Sequence, residues 1–141
     1  MIVYQKFIYR ADLQANPEVV YLFGDNLTGE GLAGQAGEMR GEPNAIGIPT
    51  KAYPNMEPSS FFSDDDLESN KAHILAAIAS IPVNVLIICP LDGLGTGLAQ
   101  LPYKAPKTNE FLSDILRELE ETEVDVSLPT VEYSMKKKVS D

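Results

Sequence analysis

Val85-Leu86-Ile87-Ile88-Cys89-Pro90-Leu91-Asp92-Gly93-Leu94-Gly95-Thr96-Gly97-Leu98 joins an unbroken apolar run to three alternate glycines. A run of β-branched and aliphatic residues with no polar alternation predicts a strand buried on both faces, here Val83 to Cys89. The glycine-rich stretch from Pro90 to Leu101 predicts a loop whose successive N–H groups can form a nest for an anion. A strand feeding such a loop implies an α/β sheet, because ligands of open α/β sheets sit beyond the carboxyl ends of the strands.

The same pairing occurs earlier. Val19 to Phe23 reads as a second buried strand and is followed by Gly24-Asp25-Asn26-Leu27-Thr28-Gly29-Glu30-Gly31-Leu32-Ala33-Gly34-Gln35-Ala36. A loop over Gly24 to Gly31 and a short helix over Leu32 to Arg40 are predicted, placing helix N–H groups beside the loop. The segment lacks the Gly-Lys-Ser/Thr of a P-loop. The Gly29-x-Gly31-x-x-Gly34 spacing fits a dinucleotide fingerprint, but it begins too far beyond Phe23 for the tight turn that fingerprint requires.

Between and around these loops, Ile2 to Tyr9 reads as an edge strand and Asn16-Pro17 as a turn. Ala45 to Ile48 reads as a short strand closed by Pro49, and Lys51 to Phe62 as irregular. Ser63-Asp64-Asp65-Asp66 is a helix start, with Ser63 as cap and the aspartates on the positive end of the dipole. Leu67, Ile74, Leu75 and Ile78 follow at helical spacing, and Pro82 ends the helix. Thr108 to Glu121 is the last helix, with Phe111, Leu112, Ile115, Leu116 and Leu119 as its apolar stripe. Val124 to Tyr133 is read as a further edge strand, and residues 134–141, with Lys136-Lys137-Lys138, as a flexible basic tail. The alternation of strands and helices predicts a single layered α/β domain over residues 1–133 with a parallel or mixed sheet.

The chain has 141 residues and a formal net charge of −10. Such acidity argues against a general nucleic-acid binder, which needs a basic face. A single phosphorylated ligand remains compatible, because backbone N–H groups hold phosphate without a basic patch. One cysteine, Cys89, excludes an internal disulfide. No run approaches the length of a membrane helix, and the expected setting is the reducing cytoplasm. His73, the only histidine, falls off the apolar face of its helix and reads as solvated. Neither a histidine triad nor a metal site finds enough partners, so no metal or cofactor is expected. Cys89 reads as a small buried residue rather than a nucleophile.

Phe23-Gly24-Asp25-Asn26, Gly31-x-x-Gly34-Gln35-Ala36-x-x-Met39-Arg40-Gly41, Pro43-Asn44-Ala45-x-Gly47-Ile48-Pro49-Thr50-Lys51 and Gly93-Leu94-Gly95-Thr96-Gly97-Leu98-Ala99 together resemble a macrodomain-like family of bacterial and phage proteins. More distantly they resemble the compact macrodomains that bind ADP-ribose, over about residues 19 to 120. The resemblance implies a compact three-layer fold, a central mixed sheet flanked by helices. It also implies a ligand set of Gly24, Asp25, Asn26, Gly31, Gly34, Gln35, Asn44, Thr50, Gly93, Gly95, Thr96, Gly97 and Leu98. In it, Asp25 and Asn26 would lie by the adenosine and distal ribose, and the late loop would wrap the diphosphate.

A hydrolytic branch of that family, the terminal ADP-ribose glycohydrolase type, pairs a lysine after the middle strand with an aspartate straight after the late Gly-x-Gly-Leu. Lys51 holds the lysine's place, but Ala99 holds the aspartate's, and alanine can neither take nor give a proton. Asp92, at the start of the same loop, is the remaining candidate acid or base. Lys51 itself reads as a solvated loop lysine, a phosphate partner or an amine nucleophile. Three functions therefore stand: a binder of ADP-ribose or a related nucleotide, free or carried on protein or nucleic acid; an ADP-ribosyl hydrolase or ADP-ribose phosphoesterase using Lys51 and Asp92; and an interaction module without a ligand.

Overall fold

A computed structural model describes residues 1–123. Four strands form one sheet in the order β1-β4-β2-β3: β1 (Ile2–Gln5), β2 (Val20–Asn26), β3 (Ala45–Lys51) and β4 (Ile87–Pro90). Among the described residues all three ladders are parallel, β1 with β4, β4 with β2 and β2 with β3. The sheet is therefore parallel where a mixed one is expected above. The proposed strand over 124–133 and the basic tail lie outside the described residues.

Side chains alternate between the two faces as the pleat requires. Val20, Leu22, Ile87 and Cys89 enter one core with Ile74 of α3 (Leu67–Ala79) and Leu112 and Ile115 of α5 (Pro106–Glu121). Tyr21, Phe23 and Ile88 enter a second core with Leu13 of α1 (Arg10–Ala15) and Ala36 and Met39 of α2 (Gln35–Met39). The strands read as unbroken apolar runs because both faces are covered. Topology explains which helix goes where. The steps β1 to β2 and β2 to β3 run one way across the sheet, and β3 to β4 runs back. Right-handed crossovers then put α1 and α2 on one face and α3 on the other.

Several boundaries differ from the sequence reading. Strand β2 continues through Gly24 and Asp25 to Asn26. Strand β3 runs on through Pro49 to Lys51. A proline is tolerated there because β3 is an edge strand and its outer side needs no donor. Strand β4 is shorter at its start: Asn84 adopts a left-handed φ of 57° and Val83 is 85% exposed, and the two form a turn after α3. Helix α2 has five residues rather than nine, so its dipole is slight. Two short helices were not foreseen, α1 and α4 (Leu101–Lys104). His73 is exposed and Cys89 fully buried. Burial, with some contribution from Glu120, pushes the Cys89 thiol up to about 12, so it carries no thiolate at neutral pH.

The acidic run has a more specific role than a dipole partner. Ser63 accepts from the Asp65 N–H at 3.2 Å. Asp64 reaches instead to another helix: its carboxylate accepts from the Lys107 and Thr108 N–H groups at 2.9 and 3.0 Å and from the Thr108 hydroxyl at 3.0 Å. It thereby caps α5. Burial alone would raise the Asp64 pKa, but these bonds hold it below the usual carboxylate value.

Asp64→Ala is therefore expected to destabilise the fold by about 1–2 kcal/mol at pH 7. A depressed folded-state pKa gives stability that is full above the unfolded value and lost as pH falls through the folded one. The gap between wild type and variant in urea unfolding should accordingly close below about pH 4.

Candidate functional site

Parallel strands bring all four carboxyl ends to one edge. There the segments after β1, β2, β3 and β4 surround a cavity of about 400 Å³. This volume lies in the range of small-ligand pockets. The cavity opens at a switch point. Neighbouring strands β2 and β4 send their chains to opposite faces, one to α2 and the other to α4 and α5, and a crevice is left between the two loops.

The loop after β4 has a fixed shape. Gly93 N–H donates to Pro90 O at 2.9 Å, the Thr96 hydroxyl to Asp92 O at 2.7 Å, Gln100 N–H to Gly97 O at 3.0 Å and Leu101 N–H to Gly95 O at 2.8 Å. Gly93, Gly95, Thr96, Gly97 and Leu98 all line the cavity. The N–H groups of Gly95, Thr96, Gly97 and Leu98 have no acceptor among the described residues. Gly95 is required twice over: its φ is +77°, and a Cβ would lie 3.0 Å from Leu101 Cβ and 3.1 Å from Thr50 Cβ. Asp92 also lines the cavity, as an exposed residue. Ala99, where the resemblance calls for an acid in the hydrolytic branch, lines it and is 8% exposed.

The first loop behaves differently. Gly24, Asp25, Asn26, Gly31, Gly34 and Gln35 line the cavity, but the three polar side chains are already engaged. Asp25 accepts from Arg40 at both carboxylate oxygens, at 2.6 and 3.2 Å. Asn26 accepts from the Thr28 N–H at 2.9 Å and donates to Glu30 O at 2.7 Å. Gln35 accepts from the Ile8 N–H at 2.9 Å and donates to Ile8 O at 2.7 Å. These residues shape the wall and tie it to neighbouring segments. Gln35 in particular ties down the chain after β1, which explains how Lys6 and Phe7 come to line the cavity.

Thr50 and Lys51, at the end of β3, both line the cavity and are buried. The Thr50 hydroxyl donates to Asp25 O at 3.3 Å. Lys51 is 8% exposed and forms no salt bridge among the described residues. Its Nζ lies 3.5 Å from the Met56 sulfur and 4.8 Å from the centre of the Phe61 ring. Phe61 is brought there by an antiparallel bridge to Lys51. Burial lowers the Lys51 pKa from its ordinary value, so this lysine is a desolvated cation rather than the solvated loop residue that is its blandest reading.

Asn44 does not belong to the site. Its amide donates to Leu13 O, Asn16 O and Val19 O at 3.0–3.1 Å. It precedes β3, at the opposite end of the strands, and fastens the turn after α1. Arg40, Lys6, Phe7, Glu30 and Pro54 line the cavity without having been singled out in the sequence. Arg40 alone left a signal there: it is the only arginine between Arg10 and Arg117. Among the described residues no three His, Cys, Asp or Glu side chains gather as a metal site would need. No helix among them is long and apolar enough to cross a membrane.

Residues 3–115 match a family of unknown function, DUF7831, and the chain belongs to that family. No curated protein and no solved structure matches it.

Gly95→Ala should cost about 2–4 kcal/mol, combining the left-handed backbone with overpacking against Leu101 and Thr50. Gly97→Ala, whose Cβ meets nothing within 4 Å, should change stability by no more than about 0.5 kcal/mol. Urea unfolding of the two variants measures the contrast.

Proposed function

We propose that this member of DUF7831 binds ADP-ribose or a related nucleotide derivative in the cavity at the carboxyl edge of the sheet, and that binding rather than hydrolysis is its activity. One observation carries the reading. The N–H groups of Gly95, Thr96, Gly97 and Leu98, which lack acceptors among the described residues, and the buried cation Lys51 belong to the same cavity wall. Unpaired backbone donors and a desolvated ammonium favour an anion, and a diphosphate suits a donor run of that length. The resemblance to macrodomains supports the identity of the nucleotide.

Binding is favoured over turnover on chemical grounds. Hydrolysis of a glycosidic or ester bond needs a group that moves a proton at the reacting atom. Ala99 supplies none where the hydrolytic branch has its aspartate. Phe7, Leu32, Pro54 and Leu98 line the same cavity and offer apolar surface to a base or ribose. The ADP-ribose group would come free or attached to a protein or nucleic acid. The setting we favour is the cytoplasm, in keeping with a single, deeply buried cysteine.

ADP-ribose at 100 times its Kd should stabilise the protein by about 2.7 kcal/mol, a rise in Tm of roughly 5–10 °C. Lys51→Met should weaken binding at least about tenfold, a conversion of 1.4 kcal/mol. Wild-type affinity should fall as pH rises through the lowered Lys51 pKa, where the ammonium loses its charge. Thermal unfolding with ADP-ribose, ADP and NAD measures the first, and calorimetric titration with the same compounds measures the other two. A protein that none of them stabilises overturns the nucleotide reading. Release of ADP-ribose from a modified protein by wild type but not by Lys51→Met or Asp92→Ala would replace binding with hydrolysis.

A further inference from the structure

We propose that Arg40 is the positioning residue of the cavity: fixed at the end of α2, it holds the first loop, through Asp25 and two loop carbonyls, in the shape that walls the site. The part of the proposal that concerns affinity rests on the cavity being the nucleotide site described above. The part that concerns loop shape stands on geometry alone.

The guanidinium uses its fork in two directions. Nη1 and Nη2 donate to the two Asp25 carboxylate oxygens at 3.2 and 2.6 Å. Nε donates to Gly31 O at 2.8 Å and Nη2 to Glu30 O at 3.2 Å. Its carbon lies 5.4 Å from the centre of the Phe23 ring, on the second core. A planar, five-donor group suits this task, and a lysine could not join a bidentate carboxylate to two carbonyls. The carboxylate it grips is itself held in place: a Cβ on Gly47 would stand 2.5 Å from Asp25 Oδ2. Gly47 is thus the socket for Asp25, the next-to-last residue of β2, and Arg40 carries that fixed point across to the middle of the loop.

Beyond Arg40 and the Asn26 amide, which donates to Glu30 O at 2.7 Å, the middle of the loop has little to hold it. The N–H groups of Glu30, Gly31, Leu32, Ala33 and Gly34 have no acceptor among the described residues. Leu32 is 69% exposed, so burial does not fasten the loop at that point. Without Arg40 the segment must be ordered again each time a ligand binds, and affinity falls by the fraction of time the loop is in shape.

The test uses a glutamate-specific protease and calorimetry on the full chain. In Arg40→Met, cleavage at the Glu30–Gly31 bond should accelerate at least about tenfold, while cleavage after Glu68, inside α3, stays as in wild type. Affinity for ADP-ribose should drop by at least about tenfold. Arg40→Lys should fall between the two proteins. Asp25→Asn, which leaves the two carbonyl bonds in place, should fall between wild type and Arg40→Met, and the double variant should be no worse than Arg40→Met, because Asp25 acts on the loop through Arg40. Unchanged cleavage after Glu30 in Arg40→Met overturns the proposal. So does equal acceleration after Glu30 and Glu68, which would mean a loss of global stability only. If Arg40→Met fails to fold, Arg40→Lys and Asp25→Asn decide by the same two cleavage sites. If wild type binds no ADP-ribose, the nucleotide reading fails separately, and cleavage after Glu30 still decides whether Arg40 holds the loop.

Discussion

Ile87 and Ile88 are clamped from both sides, and the rest of the molecule depends on that clamp. Each pairs with a residue of β1 on one edge, Ile2 and Val3, and with a residue of β2 on the other, Val20 and Tyr21. Their side chains enter opposite cores. One dipeptide therefore joins four partners in the sheet plane and two layers of helices. Because β4 is inserted between β1 and β2, the chain leaving it has α1 and α2 behind one shoulder and must turn to the other face. That reversal opens the crevice in which the two glycine loops meet. The cavity is a consequence of strand order before it is a consequence of any loop residue.

What the loops add is chemistry suited to an acidic protein. With a net charge of −10, the chain cannot attract an anion with a broad basic surface. Backbone donors carry no net charge and need no counter-ion. A single buried lysine acts at short range, where surrounding carboxylates are screened little but also lie beyond salt-bridge distance. The recognition we propose is therefore local, built from fixed dipoles and one desolvated cation. The polar side chains of the first loop serve the framework: Asp25, Asn26 and Gln35 are consumed by Arg40, Thr28, Glu30 and Ile8.

Features that depend on local chemistry were legible in the sequence. The strand at Val19–Phe23, the capped helix after Ser63 and the stripe on Phe111–Leu119 follow from apolar runs, capping residues and helical spacing. The two loops were found because glycine spacing marks backbone that must approach something closely. Features set by long-range contact were hidden. Helix α1 is only six residues long, too short for a periodic pattern; it starts because Asp12 accepts the Tyr9 N–H at 2.8 Å. Val83 and Val85 look like strand residues, but the reversal at Asn84 leaves Val83 in solvent. Asn44 sat in a persuasive motif, yet its acceptors are carbonyls of residues 13–19, which no spacing rule points to. Lys6 and Phe7 reach the cavity on a segment that Gln35 pins at Ile8 across 27 residues.

Pro49 has a further consequence at the rim of the sheet. Within the sheet strand β3 pairs with β2 alone, and among the described residues its outer side meets only Phe61, at Lys51; an outer strand with a complete row of donors is a template for another chain. The proline interrupts that row where β3 runs beside Asp25. The same residue that lets the strand carry Thr50 and Lys51 onward also spoils it as a surface for aggregation. Any effort to stiffen β3 by replacing Pro49 with a better strand former would restore the missing donor and make the protein stickier at high concentration.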